Sequence, residues 1–569
     1  MRATRRIAAG AAICASCFQT TNAIDLDVTS TGPPLSPSTP VSPKLIPSDS
    51  IKAASSKIAY GMMSYYTGNH TGDNPGNLPA PYYWWEAGSM FGTMVEYWYY
   101  TNDTSYNPTV TEALLSQVGE NKDFMPLNQT KTEGNDDQGF WGMAAMSAAE
   151  MKYPDPPGGK VQWLALAQAV FNEMVERWDE STCGGGLRWQ IFTFNAGYTY
   201  KNSIANGCLF NIAARLARYT GNQTYADWAD KTWNWMDRVG LIGDKFEVYD
   251  GSSDTENCSS VDHIQFSYNQ GIFLFGSAVM YEFTNQSSTW QTRLEGLLNS
   301  TDIFFKDGIM YESACETVKT TGTCNTDQQS FKAYLSRWMA ATAKLVPAYH
   351  DTIMKLLKPS AKAAAAQCSG GTDGMTCGEH WYQPYDGLYG LGQQMSALSV
   401  VQSMLIDEAP ALATNGNGGT SKGDVDAGKK GDASGPVSKP VTTGDRAGAG
   451  ILTAMVLSGL LGGTSLAERK IAGAGYFVLP YCTCSSNGLT KPQYGNSSSV
   501  MCSYVDYVDS SITFTQPIWV ERGSKYVVAT GTYGEDFKMT DIAHRTMAPS
   551  CWYQAGLKTQ VQIRHLKYR

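Results

Sequence analysis

Helical periodicity that recurs in pairs constrains this chain more than any other feature. Between residues 50 and 406, apolar side chains return at steps of three and four. Examples are Leu164, Ala167, Phe171, Met174 and Trp178, and Leu209, Ile212, Leu216 and Tyr219 ahead of the stop signal Gly221-Asn222. Twelve such segments begin near residues 50, 86, 109, 138, 160, 203, 223, 270, 289, 329, 349 and 388. Every second one opens on glycine, aromatics and polar side chains: Trp85-Glu-Ala-Gly-Ser-Met-Phe-Gly92, Asp137-Gln-Gly-Phe-Trp-Gly142, Ala205-Asn-Gly-Cys-Leu-Phe210, Tyr268-Asn-Gln-Gly-Ile-Phe273, Phe331-Lys-Ala-Tyr-Leu335 and Gly387-Leu-Tyr-Gly-Leu-Gly392. These openings start 52 to 68 residues apart, the length of a helical hairpin with its loops. Six hairpins that each bury one helix predict an all-α chain closed into an (α/α)6 toroid. An open α-solenoid is the competing architecture.

The second opening carries two adjacent carboxylates, in Glu133-Gly-Asn-Asp-Asp-Gln-Gly-Phe-Trp-Gly142. Asp136 and Asp137 can cap a helix, and they can also flank a glycosidic bond, one protonating the leaving oxygen and one acting on the anomeric carbon. The two roles are compatible, because a helix N-terminus favours the ionised carboxylate that a nucleophile needs. Adjacent residues lie about 3.8 Å apart at Cα, so their carboxyls suit the roughly 5 Å separation of retaining enzymes better than the wider inverting gap. If the six openings share one cleft, the pair faces it together with Trp84, Trp85, Glu86, Trp141, Trp189, His263, Gln265, Tyr268, Asn269, Lys332, Tyr385 and Asp386. Aromatic faces stack on sugars, and amide or carboxylate edges bind hydroxyls.

Charge and cysteine usage narrow the setting. A formal charge of −9 argues against nucleic acid, whose phosphates reward a basic face. The six histidines are scattered without ligand spacing, so neither a metal nor another cofactor is expected. Arg2, Arg5 and Arg6 precede a short apolar run from Ile7 to Phe18, the layout of a secretory signal over residues 1–23. Secretion favours disulfides, and Cys315/Cys324 and Cys368/Cys377 are spaced to clip two loops. Seven cysteines in the main domain leave at least one thiol free or paired elsewhere, and the sequence does not identify it. Sequons at Asn69, Asn102, Asn128, Asn222, Asn257, Asn285 and Asn299, with Asn496 further on, fit a glycosylated secreted protein.

Residues 24–406 hold the repeats, and 407–450 read as a flexible Gly/Ser/Pro linker. The hydrophobic segment 451–467 then resembles a glycolipid-anchor signal, except that about a hundred residues follow it. Three readings compete for 468–569: a spurious extension of the chain, residues lying beyond a short membrane span, or a small cysteine-containing β-rich domain. Val527–Tyr533 and Ile512–Gln516 have strand-like composition.

Four blocks in order resemble glycoside hydrolase family 76 and, more narrowly, its fungal cell-wall branch of mannan endo-1,6-α-mannosidases. They are Asn135–Gly142, Cys183-Gly-Gly-Gly-Leu-Arg-Trp-Gln190, Tyr200–Asn211 and His263–Gly271, and the resemblance spans roughly 24–406. It implies an (α/α)6 fold and retention, with Asp136 as nucleophile and Asp137 as general acid/base. It also implies an α-mannan or glycolipid-anchor glycan as substrate, a β-glucan as possible acceptor, and either hydrolysis or transglycosylation. A non-catalytic surface protein that holds mannan is the rival reading. Another (α/α)6 enzyme, such as a sugar epimerase or unsaturated-glycuronide hydrolase, is a weaker one.

Overall fold

The computed structural model describes Ile24, Leu26 and residues 47–129, 131–316 and 324–429, together with the backbone of six short strands between 499 and 545. Twelve α-helices run through the first part: α1 Pro47–Met63, α2 Trp84–Thr101, α3 Asn107–Ser116, α4 Asn135–Glu150, α5 Trp163–Glu176, α6 Ser203–Thr220, α7 Gln223–Arg238, α8 Ser267–Phe283, α9 Ser288–Asn299, α10 Phe331–Leu345, α11 His350–Gln367 and α12 Leu391–Gln402. Each begins within about three residues of its predicted start. The even-numbered helices touch in sequence, α2 to α4 and onward to α12, and α12 returns to α2. That return closes the ring and excludes an open solenoid.

Composition explains which helices lie inside. The outer α7 has a distinct polar side, with exposed Lys231 and Asn234, whereas every residue of α12 and most of α4 are buried. The α12 helix carries no charged residue that would require solvent, and its glutamines bond to neighbouring elements, Gln394 to Ile58 O and Gln402 to Thr93 O. Small residues let the inner helices approach. A Cβ on Gly88 of α2 would meet Trp141 of α4 at 2.8 Å, and one on Gly139 of α4 would meet Cys208 of α6 at 2.5 Å. Gly207 of α6 is similarly tight against Ile272 of α8, and Gly271 of α8 against Leu335 of α10. Cys208 is the leftover thiol, fully buried in the α4–α6 seam, because Cys183–Cys258 forms a third disulfide beside the expected Cys315–Cys324 and Cys368–Cys377.

One boundary moves. Residues 407–429 were expected to open a flexible linker, yet they lie as an ordered strap on the ring. Arg218 of α6 donates to Leu412 O, Ala413 N donates to Glu150 O, and Asn415 N donates to Tyr219 O. Further on, Leu164 N donates to Ser421 Oγ, and Asn172 donates to Ala427 O. Composition misleads here because a few anchors hold the strap, its peptide groups together with Ser421 Oγ and the buried Leu412 and Ala413, without any apolar periodicity. All seven main-domain sequon asparagines are exposed.

The second compact unit, Val437–Arg569, contains three antiparallel two-stranded ladders: 499–502 with 518–521, 505–508 with 511–514, and 526–529 with 542–545. The expected leader, the rest of the linker and the hydrophobic segment 451–467 lie outside the described residues. Among the described residues, no helix is long and apolar enough to cross a membrane.

Candidate active site

The inner helices bring their N-termini to one mouth, and their first turns build its floor. The second residues of α2, α4 and α8 are Trp85, Asp136 and Tyr268, and all three line the same cleft. Asp137, Phe140, Trp189, Asp250, Asp327 and Phe331 join them around a cavity of about 240 Å³. A short antiparallel sheet forms one wall, in the order β1 (Tyr200–Asn202), β2 (Gly251–Ser253) and β3 (Val261–Asp262). Tyr200 and Asn202 face the cleft from it.

Backbone bonds fix the acid pair to that wall. Asn135 N donates to Trp189 O at 2.8 Å, and Trp189 N donates to Tyr200 O at 2.6 Å. Behind the helix start, Arg177 at the end of α5 donates to Asn135 Oδ1 at 2.7 Å and also to Gln138. Gly134 N donates to Asp137 Oδ2 at 2.6 Å, the backbone half of a capping box. No side chain larger than hydrogen fits at Gly134, since a Cβ would lie 2.4 Å from Asp136 Oδ1 and 3.0 Å from Trp189 O.

The electrostatics differ from the sequence expectation. A helix N-terminus was expected to keep the carboxylates ionised, but burial outweighs it. Burial first, and then the charge of Asp137, push the Asp136 carboxyl well above the usual carboxylate range. Asp137 is pushed up to about 7 by burial, against the opposing Gly134 N–H, with Asp327 adding to the rise. Asp327 and Asp250 are themselves raised by burial, although Trp85 Nε1 donates to Asp327 at 3.0 Å and Tyr200 OH to Asp250 at 2.8 Å. Among the described residues, no lysine or arginine lines the cleft to neutralise these four acids. Close to neutral pH such a cluster holds protons, so it can both donate and accept one.

Of the predicted site residues, Asp136, Asp137, Trp85, Trp189 and Tyr268 come together in the cleft. The structure places the others outside it. Trp84 and Trp141 stack on each other at 5.0 Å and hold the α2–α4 seam. Glu86 is fully buried, accepts from Tyr83 N at 2.7 Å, and is pushed up to about 8 by burial. Lys332, next to the cleft residue Phe331, points into the wall and pairs with buried Glu316. Successive helical residues point about 100° apart, so Lys332 leaves the cleft that Phe331 faces, whereas Asp136 and Asp137, in the first turn of α4, both line it. Asp386 accepts from His380 N at 2.8 Å and pins a loop, while the Tyr385 ring packs over Gly370. Asn269 is fully buried near Asp250. His263 and Gln265 line a separate groove beside the cleft.

Sequence reasoning missed Asp250, Asp327, Tyr200, Asn202 and Phe140. Only Asn202, a side-chain N-cap directly before α6, and Phe140, inside the acid-bearing opening, carried a local signal.

The sequence profile of glycosyl hydrolase family 76 matches residues 50–416. Mannan endo-1,6-alpha-mannosidase DCW1 of Saccharomyces cerevisiae is 52% identical over 411 residues, covering 72% of this chain and 91% of the yeast protein. Mannan endo-1,6-alpha-mannosidase DFG5 of the same yeast is 48% identical over 454 residues, 79% of this chain and 95% of the relative. The crystal structure of Dfg5 from Chaetomium thermophilum in complex with glucosamine superposes with a TM-score of 0.65 at 46% identity, over 67% of this chain and 96% of that one. The GH76A alpha-1,6-mannanase of Salegentibacter, in complex with alpha-1,6-mannotriose, shares the fold at a TM-score of 0.51 and 15% identity, over 62% of this chain and 99% of that one. A closed ring of six hairpins, an acid pair at the start of an inner helix and a match across the ring lead to one conclusion: the chain belongs to glycosyl hydrolase family 76.

Proposed function

We propose that this chain is a retaining, endo-acting α-1,6-mannosidase or transglycosidase that works on wall mannan or on a glycolipid-anchor glycan of the fungal cell surface. The observation that carries the reading is a pair of carboxyls at successive positions of one helix start, both facing a cleft that, among the described residues, no lysine or arginine lines.

In the first step the Asp136 carboxylate attacks the anomeric carbon as the bond to the leaving oxygen breaks, and Asp137 gives its proton to that oxygen. The covalent mannosyl ester is then attacked by water or by a sugar hydroxyl, whose proton passes to Asp137 while Asp136 is released. Water gives hydrolysis; a glycan hydroxyl, such as that of a β-glucan, gives transfer. Trp85, Trp189 and Tyr268 supply faces for sugar rings, and Asp250 and Asp327 supply acceptors for hydroxyls. The similarity to the mannosidases DCW1 and DFG5 supports the substrate class.

The test replaces Asp136 and Asp137 separately with Asn and follows α-1,6-manno-oligosaccharides, with the product anomer read by NMR. Loss of turnover in both variants and retained configuration in the wild type are expected. Undiminished product formation in either variant would remove the mechanism.

A further inference from the structure

The two residues that bracket the acid pair share one partner. Arg177, the first residue past α5, donates from Nε to Asn135 Oδ1 at 2.7 Å and from Nη2 to Gln138 Oε1. Its ion pair with Glu173 is longer, at 3.4 Å, and Gln138 Nε2 closes the network by donating to Glu173 Oε2 at 2.5 Å. Asn135 Nδ2 reaches the other way and donates at 2.8 Å to the carbonyl of Arg188, the residue before Trp189. The first turn of α4 is therefore gripped between the end of α5 and the wall of the cleft.

Helix geometry gives that grip a direction. At about 100° per residue, Asn135 and Gln138 lie within about 60° of each other on one face, and Asp136 and Asp137 fall on the face opposite. Asn135 and Gln138 are buried, while both acids line the cleft. Holding the buried face thus fixes the angle at which the two carboxyls leave the helix. An ammonium could pair with Glu173, but a planar fork is needed to hold two amide oxygens at once. The longest of the three contacts goes to the acid and the shorter ones to neutral amides, so the guanidinium serves orientation more than charge.

We propose that Arg177 is a positioning residue for the glycosidic reaction: bonded to neither Asp136 nor Asp137, it sets through Asn135 and Gln138 the rotation of the helix start that aims both carboxyls at the sugar. The inference rests on the glycosidase reading above and adds to the two acids a participant that stands outside the cleft. Misplacing a reacting group by about 1 Å costs on the order of 10²-fold in rate, so a slight turn of the helix start is enough.

The experiment prepares the full chain with Arg177→Lys, with Gln138→Met and with both, and follows turnover of α-1,6-mannotetraose. Arg177→Lys is expected to lower kcat about 10²-fold and Gln138→Met about tenfold, with KM held within about twofold in each. The double variant should be no slower than Arg177→Lys alone, because residues in one network do not add. Crystal structures of the single variants should show both carboxyls moved by about 1 Å from their wild-type places with the ring backbone unchanged. An undiminished kcat, a loss carried by KM alone, losses that multiply in the double variant, or carboxyls that stay in place would each overturn the proposal. Gln138→Met keeps the ion pair of Arg177 with Glu173, so it carries the test if Arg177→Lys does not fold. A wild-type chain that turns over no manno-oligosaccharide would defeat the glycosidase reading alone, since the crystal structures still report where the acids point.

Discussion

The mouth of the ring and its interior treat charge in opposite ways. In the interior, Arg215 of α6 pairs with Glu150 of α4 at 2.6 Å, and Arg337 of α10 reaches Glu96 of α2 at 3.4 Å, each cation answering an acid from another inner helix. At the mouth, Asp136, Asp137, Asp250 and Asp327 converge with only neutral donors, Trp85 Nε1, Tyr200 OH and the Gly134 amide, to meet them. Paired charges hold helices in register. Unpaired acids that share protons leave the mouth poised to exchange them with a substrate, at the expense of stability.

Four variants test that contrast, from the largest expected effect to the smallest. Asp136→Asn or Asp137→Asn should lower turnover of α-1,6-manno-oligosaccharides by about 10³-fold, the scale on which acid–base groups act, while circular dichroism stays native. In the interior, Glu150→Ala leaves Arg215 buried without its partner, and denaturant unfolding should report a loss of about 3–5 kcal/mol. A comparable loss from the mouth variants would erase the distinction between the two regions. Replacing Cys183 and Cys258 together by Ser opens a 75-residue link behind β1 and should lower stability by about 2–5 kcal/mol.

The pH dependence gives the sharpest form of the contrast. Asp137 binds its proton more tightly in the folded chain, so its contribution to stability is present below the ordinary carboxylate value of 3.8 and is lost as pH rises through about 7. Asp137→Asn should therefore raise the melting temperature at pH 7.5, by the equivalent of about 1–3 kcal/mol, and change nothing at pH 3.5. A variant less stable than wild type at pH 7.5 would contradict the description of the mouth.

Much of the ring was legible because its grammar is local. Gly221-Asn222 ends α6 as the stop signal required, and the glycine-rich openings marked the inner helices since close packing leaves no room for larger residues there. Trp85, Asp136 and Tyr268 were legible as cleft residues because each lies in or beside one of the recurring glycine- and aromatic-rich openings. Asp250 and Asp327 were not, because they sit in loops whose place is set by β1–β2 pairing and by ring closure, which no local pattern records. The reach of Lys332 into the wall was hidden because its partner Glu316 lies in the loop ahead of α10, beside the Cys315–Cys324 clip, at a spacing that no helical pattern records. The strap was misread because its Gly- and Ser-rich composition hides the few residues that anchor it, Leu412, Ala413 and Ser421, beside its peptide groups.

That strap decides where the domain can be cut. Sequence logic places the edge after the last helix, at residue 406, but the chain goes on to cover the ends of α4 and α6 and to dress the side of α5 as far as residue 429. A protein trimmed at 406 would bare the carbonyls of Glu150 and Tyr219 and strand Asn172, so soluble expression calls for a terminus beyond Lys429.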